Sequence, residues 1–202
     1  PTERHGDAFL EEDEGVPGAT LSFYQGDLPD VRFADLTRAI YLGGSNVARP
    51  ASQRLKRLFQ RPRPQMTATM FGLEQGIVVQ RSTSAVTPAM ISGHCIQGTM
   101  ALVQILHWLG GLDQQVLRAV ERFLIDTGDR RVYAGLHYPS DNVGSWYVAL
   151  RLCPHLFPDS AGFELRSRLW DAIKMHSNVF KCISTVSEYD RLRERLHYAA
   201  NA

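Results

Sequence analysis

Three short stretches of this chain carry residues whose types and spacing could do chemistry together: Lys56-x6-Arg63-Pro64, Ser92-Gly93-His94 and Arg131-x5-His137-x3-Asp141. They hold three cations, two histidines and a carboxylate able to orient one of those histidines. Phosphoryl transfer needs such a set, because its catalysis rests on positioning and on charge stabilisation around the equatorial oxygens. The same set would also hold vanadate, the close structural mimic of phosphate.

Each stretch has its own physical logic. Ser92 is placed to cap a helix whose first-turn N–H groups lack helical partners and whose dipole turns its positive end outward, so a tetrahedral oxyanion suits that terminus. Gly93 lets backbone approach the anion, Ser92 can donate a further hydrogen bond, and His94 stands at the edge of the anion as a general acid. In the third stretch, Ser140 is expected to cap a helix, leaving Asp141 in its first turn. Its carboxylate can then accept a hydrogen bond from His137 Nδ1–H, fixing the tautomer and leaving Nε2 as the nucleophile. Lys56 supplies a point charge and Arg63 a planar fork. Pro64 keeps the chain extended where Arg63 turns inward. Arg57 and Arg61 are expected to be solvated on the same basic face. Taken singly, each stretch has an ordinary explanation: a helix start, a helix-terminal aspartate beside a loop histidine, a solvated basic helix. The three in order supply every part of one site.

The elements that must position these groups read as helices. Phe33 to Tyr41 is a helical candidate within a segment, residues 1–50, that is expected to wrap the main body through Leu21, Phe23 and Tyr24. Residues 51–202 are expected to form the helical catalytic domain, in a single domain overall. Ala51 to Gln60 reads as a short basic helix stopped by Pro62 and Pro64. Met66 to Ala89 reads as a long irregular connection, with Glu74 and Arg81 given no role. A helix from Ser92 to about Leu109 is apolar nearly all round and belongs at the centre of a bundle. Asp113 caps the next helix, with Val116, Leu117, Val120, Phe123 and Leu124 at helical spacing. A loop is expected over Thr127 to Pro139, then a helix over Ser140 to Leu152. Further helices are expected near Ala161 to His176 and Ser187 to Ala199. No alternating strand pattern appears, so the fold class is all-α.

Composition bounds the partners. The 202 residues, 44% of them hydrophobic, suffice for one sizeable core. Lys+Arg (22) and Asp+Glu (21) nearly cancel, so no charge excess points to nucleic acid or a membrane surface. No apolar run reaches the length of a membrane span, so a soluble protein is expected. Cys95, Cys153 and Cys182 are too few and scattered for a disulfide framework or zinc site, although one pair could form. Cys95 is read as a packing residue. His107, His155, His176 and His197 show no metal-ligand spacing, and Trp108, Trp146 and Trp170 read as core. The chain starts at Pro1 without a methionine, as a processed or trimmed end would, so its compartment is not readable.

The three motifs resemble those of the superfamily joining type 2 phosphatidic acid phosphatases, bacterial class A acid phosphatases and vanadium-dependent haloperoxidases. That pattern is Lys-x6-Arg-Pro, Pro-Ser-Gly-His and Ser-Arg-x5-His-x3-Asp. Two departures stand out. Ile91 replaces the proline, which is expected to loosen the turn into the helix. Arg130 replaces the serine, which is expected to add charge at the rim. The resemblance implies a single-domain helical bundle of the acid phosphatase and vanadium haloperoxidase type. It implies that His137 attacks phosphorus, oriented by Asp141, while His94 protonates the leaving oxygen and then activates water. Lys56, Arg63, Ser92, Gly93 and Arg131 would hold the oxygens. A phosphatase of this kind acts on a small-molecule phosphate ester and needs no metal or cofactor. The alternative implied by the same residues is a haloperoxidase, with vanadate on His137 and with halide and hydrogen peroxide as substrates. Haloperoxidases of this type are usually much longer chains, which favours the phosphatase.

Overall fold

The computed structural model describes residues 46–73, 83–109, 111–157 and 159–201. Leu21, Phe23, Tyr24, the candidate helix over Phe33 to Tyr41, Glu74 and Arg81 lie outside the described residues, as does most of the wrapping segment. Among the described residues the chain is helical and contains no strand.

α1 (Arg49–Phe59) carries Lys56 on its buried face beside Ser52. It ends where Gln60 takes the left-handed conformation, φ 50°. Arg63 is extended (φ −70°, ψ 156°), as expected of a residue before proline. Pro64 then opens a second helix, α2 (Pro64–Met70). A proline at the first helical position has no N–H to lose, so Pro64 starts a helix as well as separating two. The long irregular connection expected from Met66 is therefore shorter, with α2 at its start and a 3₁₀ turn (Thr83–Val86) near its end.

α3 (Gly93–Trp108) is the central helix, with Ile96, Met100, Ala101, Leu102, Val103 and Ile105 fully buried. It packs against α1, α4 (Gln114–Tyr133), α5 (Pro139–Leu156) and α6 (Ser160–His176). Removing such aliphatic side chains from water contributes about 1.5–3 kcal/mol each, which makes α3 the hydrophobic anchor of the bundle. Two short elements, α7 (Asn178–Ile183) and a 3₁₀ turn (Ser187–Tyr189), lead to α8 (Asp190–Asn201), which packs on α5. Trp146 is fully buried as expected, whereas Trp108, at the end of α3, is exposed. Its indole N–H donates to Gln104 one turn earlier.

The largest correction concerns α4. The expected loop from Thr127 to Pro139 is helical as far as Tyr133, leaving only residues 134–138 to turn the chain. Gly128, which looks like a breaker, serves close packing instead. A Cβ there would sit 2.7 Å from Cys95 Sγ and 3.1 Å from Asn142 Nδ2. The glycine lets α3, α4 and α5 converge below the site. Cys95, Cys153 and Cys182 are all free thiols. Burial raises Cys153 to about 12 and pushes Cys95 up further, which fits packing roles for both. No helix among the described residues is long and apolar enough to cross a membrane.

Candidate active site

The three sequence stretches meet where α1 ends, α3 begins and the α4–α5 turn crosses between them. Arg131 occupies the last turn of α4 and is fully buried. Its carbonyl accepts the N–H groups of Leu136 (3.1 Å) and His137 (3.2 Å), folding the turn back over the helix end. Tyr138 is the N-cap of α5 and Pro139 its first residue, so the cap falls two residues before the one expected at Ser140. Asp141 therefore lies in the first turn, where Oδ2 accepts the Tyr138 N–H (3.0 Å) and faces His137 Nδ1 (3.1 Å). The carboxylate is fully buried and His137 nearly so.

The tautomer follows from the partners. A carboxylate accepts and a guanidinium only donates. His137 Nδ1 faces Asp141, and Nε2 lies 2.8 Å from Arg63 Nη1. The ring must then carry its proton on Nδ1 and a lone pair on Nε2. Burial lowers the imidazole's proton affinity. The Asp141 hydrogen bond opposes this, while Arg63 and Lys56 add to it, and His137 falls to about 4. At neutral pH it is a neutral, oriented base.

Arg63 is held on several sides. Nε donates to Thr87 O (2.7 Å), Nη1 to Leu136 O (2.7 Å) and Nη2 to Thr87 Oγ1 (3.1 Å). Burial lowers it to about 10, with Asp141 opposing and Arg131 adding to the decrease. Lys56 Nζ donates to Pro88 O and, at 3.4 Å, to Ala89 O. Burial first and then Arg63 bring Lys56 down to about 7, against the pull of Asp141. These mutual influences place Lys56, Arg63, Arg131, His137 and Asp141 in one electrostatic cluster rich in positive charge.

The second stretch joins through α5. Ser92 is the fully buried N-cap of α3, its Oγ accepting from Cys95 N at 3.3 Å. Its N–H reaches Asp141 O at 3.4 Å, and its carbonyl accepts from Ser145 Oγ at 2.9 Å. Gly93 faces α1: a Cβ there would lie 3.9 Å from Lys56 Cε, an ordinary contact that does not itself demand glycine. His94, half-buried, is the second residue of α3. First-turn N–H groups of such a helix have no intrahelical acceptor and suit an oxyanion.

Three expectations need correction. Arg61 is not solvated: Nη1 donates to Asp141 Oδ1 (2.9 Å) and Ser140 Oγ (2.8 Å), and the guanidinium lies 4.1 Å from the Tyr138 ring centroid. The available signal was the helix stop at Gln60, which takes Arg61 off the basic face of α1. Arg130 adds no charge at the rim, since it is buried along its own helix, paired with Asp126 and stacked 5.0 Å from the Phe123 ring centroid. Ile91 does not loosen the turn: it is buried, and at Gly144 a Cβ would come within 3.0 Å of its Cγ2. Sequence reasoning also missed Thr87, Tyr138 and Ser145, whose roles depend on backbone paths that spacing does not encode. Among the described residues no group of His, Cys, Asp or Glu is arranged to hold a metal ion.

The all-α bundle thus brings an oriented imidazole nitrogen and buried cations together at one place. Residues 38–160, more than half of the chain and all three motifs, match the PAP2 superfamily, and the chain belongs to it. Members of that superfamily generally hydrolyse phosphate esters. No curated protein and no solved structure matches the chain.

Proposed function

We propose that this protein hydrolyses phosphate monoesters through a phosphohistidine on His137. The observation that carries the proposal is the placement of the His137 ring, held by Asp141 at Nδ1 with Nε2 turned toward Arg63. Nε2 attacks phosphorus, the bond from phosphorus to the ester oxygen breaks, and His94 gives that oxygen its proton. Water then attacks the phosphorus of the phosphohistidine, His94 takes the water's proton, and inorganic phosphate leaves as Nε2 recovers its lone pair. Lys56, Arg63 and Arg131, with Ser92 and the Gly93 N–H, hold the equatorial oxygens while charge spreads over them. Asp141 stabilises the imidazolium character that develops on His137.

The donor set also fits vanadate, with His137 Nε2 as the nitrogen ligand and Lys56, Arg63 and Arg131 around the oxygens. Bound vanadate would supply peroxide activation for halide oxidation. Hydrolysis of p-nitrophenyl phosphate, inhibited by orthovanadate, is the expected result. A neutral-pH quench is expected to leave a phosphoryl group on the peptide carrying His137, seen by mass spectrometry. Bromination of a dye with peroxide and added vanadate, without any hydrolysis, would overturn the assignment in favour of the haloperoxidase.

A further inference from the structure

We propose that Arg61 is a positioning residue for His137, acting by holding the outer oxygen of Asp141 so that Oδ2 stays on Nδ1 and Nε2 stays aimed at phosphorus. This rests on the phosphohistidine reading of the same site and adds to it a residue from the unspecified span of the first motif, between Lys56 and Arg63.

The carboxylate of Asp141 divides its two oxygens between different duties. Oδ2 takes His137 Nδ1 and the Tyr138 N–H. Oδ1 takes Arg61 Nη1 at 2.9 Å. Nη1 has two protons, and the second reaches Ser140 Oγ at 2.8 Å. The plane of the guanidinium is set by the Tyr138 ring beneath it, and the Tyr138 hydroxyl is tied to Thr67 Oγ1 at 2.6 Å. The backbone of Arg61 is fixed as well, its carbonyl accepting from Ala89 N at 2.8 Å. Both the charged head and the stem base are therefore held, and rotation of the carboxylate about its χ2 is blocked. A partner of this sort, one shell out, typically changes activity by about 10- to 100-fold when removed.

The charge of Arg61 has a separate consequence. The charged groups around the His137–Asp141 pair are Lys56 from α1, Arg61 and Arg63 from the α1–α2 link and, through its influence on Arg63, Arg131 from α4. Arg61 engages the carboxylate that supports protonation of His137. Without it the whole charge of Asp141 is available to the imidazole, and His137 takes up a proton more readily. Protonated His137 has no lone pair for attack, so the acid limb of kcat/KM moves to higher pH. A purely structural role predicts no such movement. Arg61 is one-third exposed but its partner Asp141 is fully buried, so some loss of thermal stability is expected on removing the guanidinium, and kcat is read against Tm.

The test compares Arg61→Met, Arg61→Lys and the exposed neighbour Arg57→Met in the full chain. With p-nitrophenyl phosphate, Arg61→Met is expected to lower kcat about tenfold with KM changed less than threefold, and to raise the acid limb by about half a pH unit. Arg61→Lys, which keeps the charge but not the planar stack, is expected to restore the acid limb and part of kcat. Arg57→Met is expected to match wild type. An unchanged kcat and acid limb in Arg61→Met overturns the proposal. So does a loss of kcat that tracks a fall in Tm and is equal in the lysine variant. Histidine ¹⁵N spectra give a readout that needs no turnover: His137 is expected to be the Nδ1–H tautomer in wild type and a tautomer mixture in Arg61→Met. An absence of hydrolysis by wild type would sink the functional reading alone, while an unchanged tautomer in Arg61→Met would sink the positioning role alone.

Discussion

Two fully buried carboxylates, Asp129 and Asp141, stand on adjoining helices and are used in opposite ways. Asp129 is saturated by neutral donors. It accepts from Ser177 Oγ (2.9 and 3.0 Å), Asn178 N (2.6 Å), Val179 N (3.0 Å) and Asn142 Nδ2 (3.4 Å). It pins α4 to the start of α7 and to α5. Asp141 instead faces an arginine and a titratable ring. A buried charge wrapped in neutral donors fixes geometry and has nothing left to give. A buried charge set against an imidazole passes its influence to an atom that can react. The two residues before Arg131 and the four after His137 thus separate a structural pin from a working pair, with the same side-chain type in each.

That contrast breaks first at His137. His137→Ala is expected to lower hydrolysis of p-nitrophenyl phosphate by about 10⁴-fold or more, since the nucleophile itself is gone. Its melting temperature should fall less than that of an Asp129 variant. Full hydrolytic rate in His137→Ala would remove the nucleophile assignment and with it the distinction between the two carboxylates.

Arg63 comes next, because its fork spans groups that a point charge cannot span. Arg63→Lys keeps the charge but cannot serve Thr87 O, Leu136 O and His137 Nε2 together. A drop in kcat/KM of about 10²–10³-fold is expected from steady-state kinetics, on the scale of losing a principal oxyanion donor. A change under threefold would mean that net charge alone organises the site.

On the structural side, Asp129→Ala leaves the donors of Ser177, Asn178 and Val179 without their acceptor. Chemical denaturation is expected to show a loss of about 3 kcal/mol, with hydrolysis retained by the folded fraction. The pH dependence sharpens this. Burial raises the Asp129 carboxyl to about 6 from an ordinary 3.8, against the pull of its hydrogen bonds. The folded chain therefore binds this proton more tightly than the unfolded chain, and this group's contribution to stability rises as pH falls from about 6 to about 4. Asp129→Asn should flatten that part of the stability profile. Loss of activity without loss of stability in Asp129→Ala would make Asp129 part of the working site instead.

How much of this was legible in the sequence depends on which interactions were local. The Lys56–Arg63 and His137–Asp141 spacings, the Ser92 and Asp113 caps and the apolar α3 are short-range features, and the structure displays each of them. The misread features, Arg130 apart, are long-range. Gly128 reads as a breaker until Cys95 and Asn142 are seen against it. Arg61 reads as solvated until α5 brings Asp141 to it across 80 residues. Arg130 is the local case: it reads as rim charge because the helix is expected to end before it, and the continuation of α4 to Tyr133 is what sets it one turn from Asp126. The Asp129 pin escaped notice because its donors come from a short helix, α7, with little periodicity of its own.

Lys56 gives the smallest predicted effect and the finest probe of the working side. Burial and Arg63 lower it to about 7, so near neutrality the free site holds a partly deprotonated lysine. An oxyanion bound beside Nζ favours the ammonium, so binding above pH 7 must draw in a proton. Affinity then falls as pH rises, by up to about tenfold per unit, or about 1.4 kcal/mol. Sulfate is the suitable probe because its own charge is constant over this range. Its inhibition constant for wild type is expected to be flat below about pH 6.5 and to rise above about pH 7.5. Lys56→Met should bind sulfate more weakly at low pH and lose the slope. Asp129→Asn, which removes a carboxylate hydrogen-bonded to neutral donors away from Lys56, should keep the wild-type slope. A slope that survives in Lys56→Met would assign the proton to another group of the cluster and leave Lys56 a fixed positive charge like its arginine neighbours.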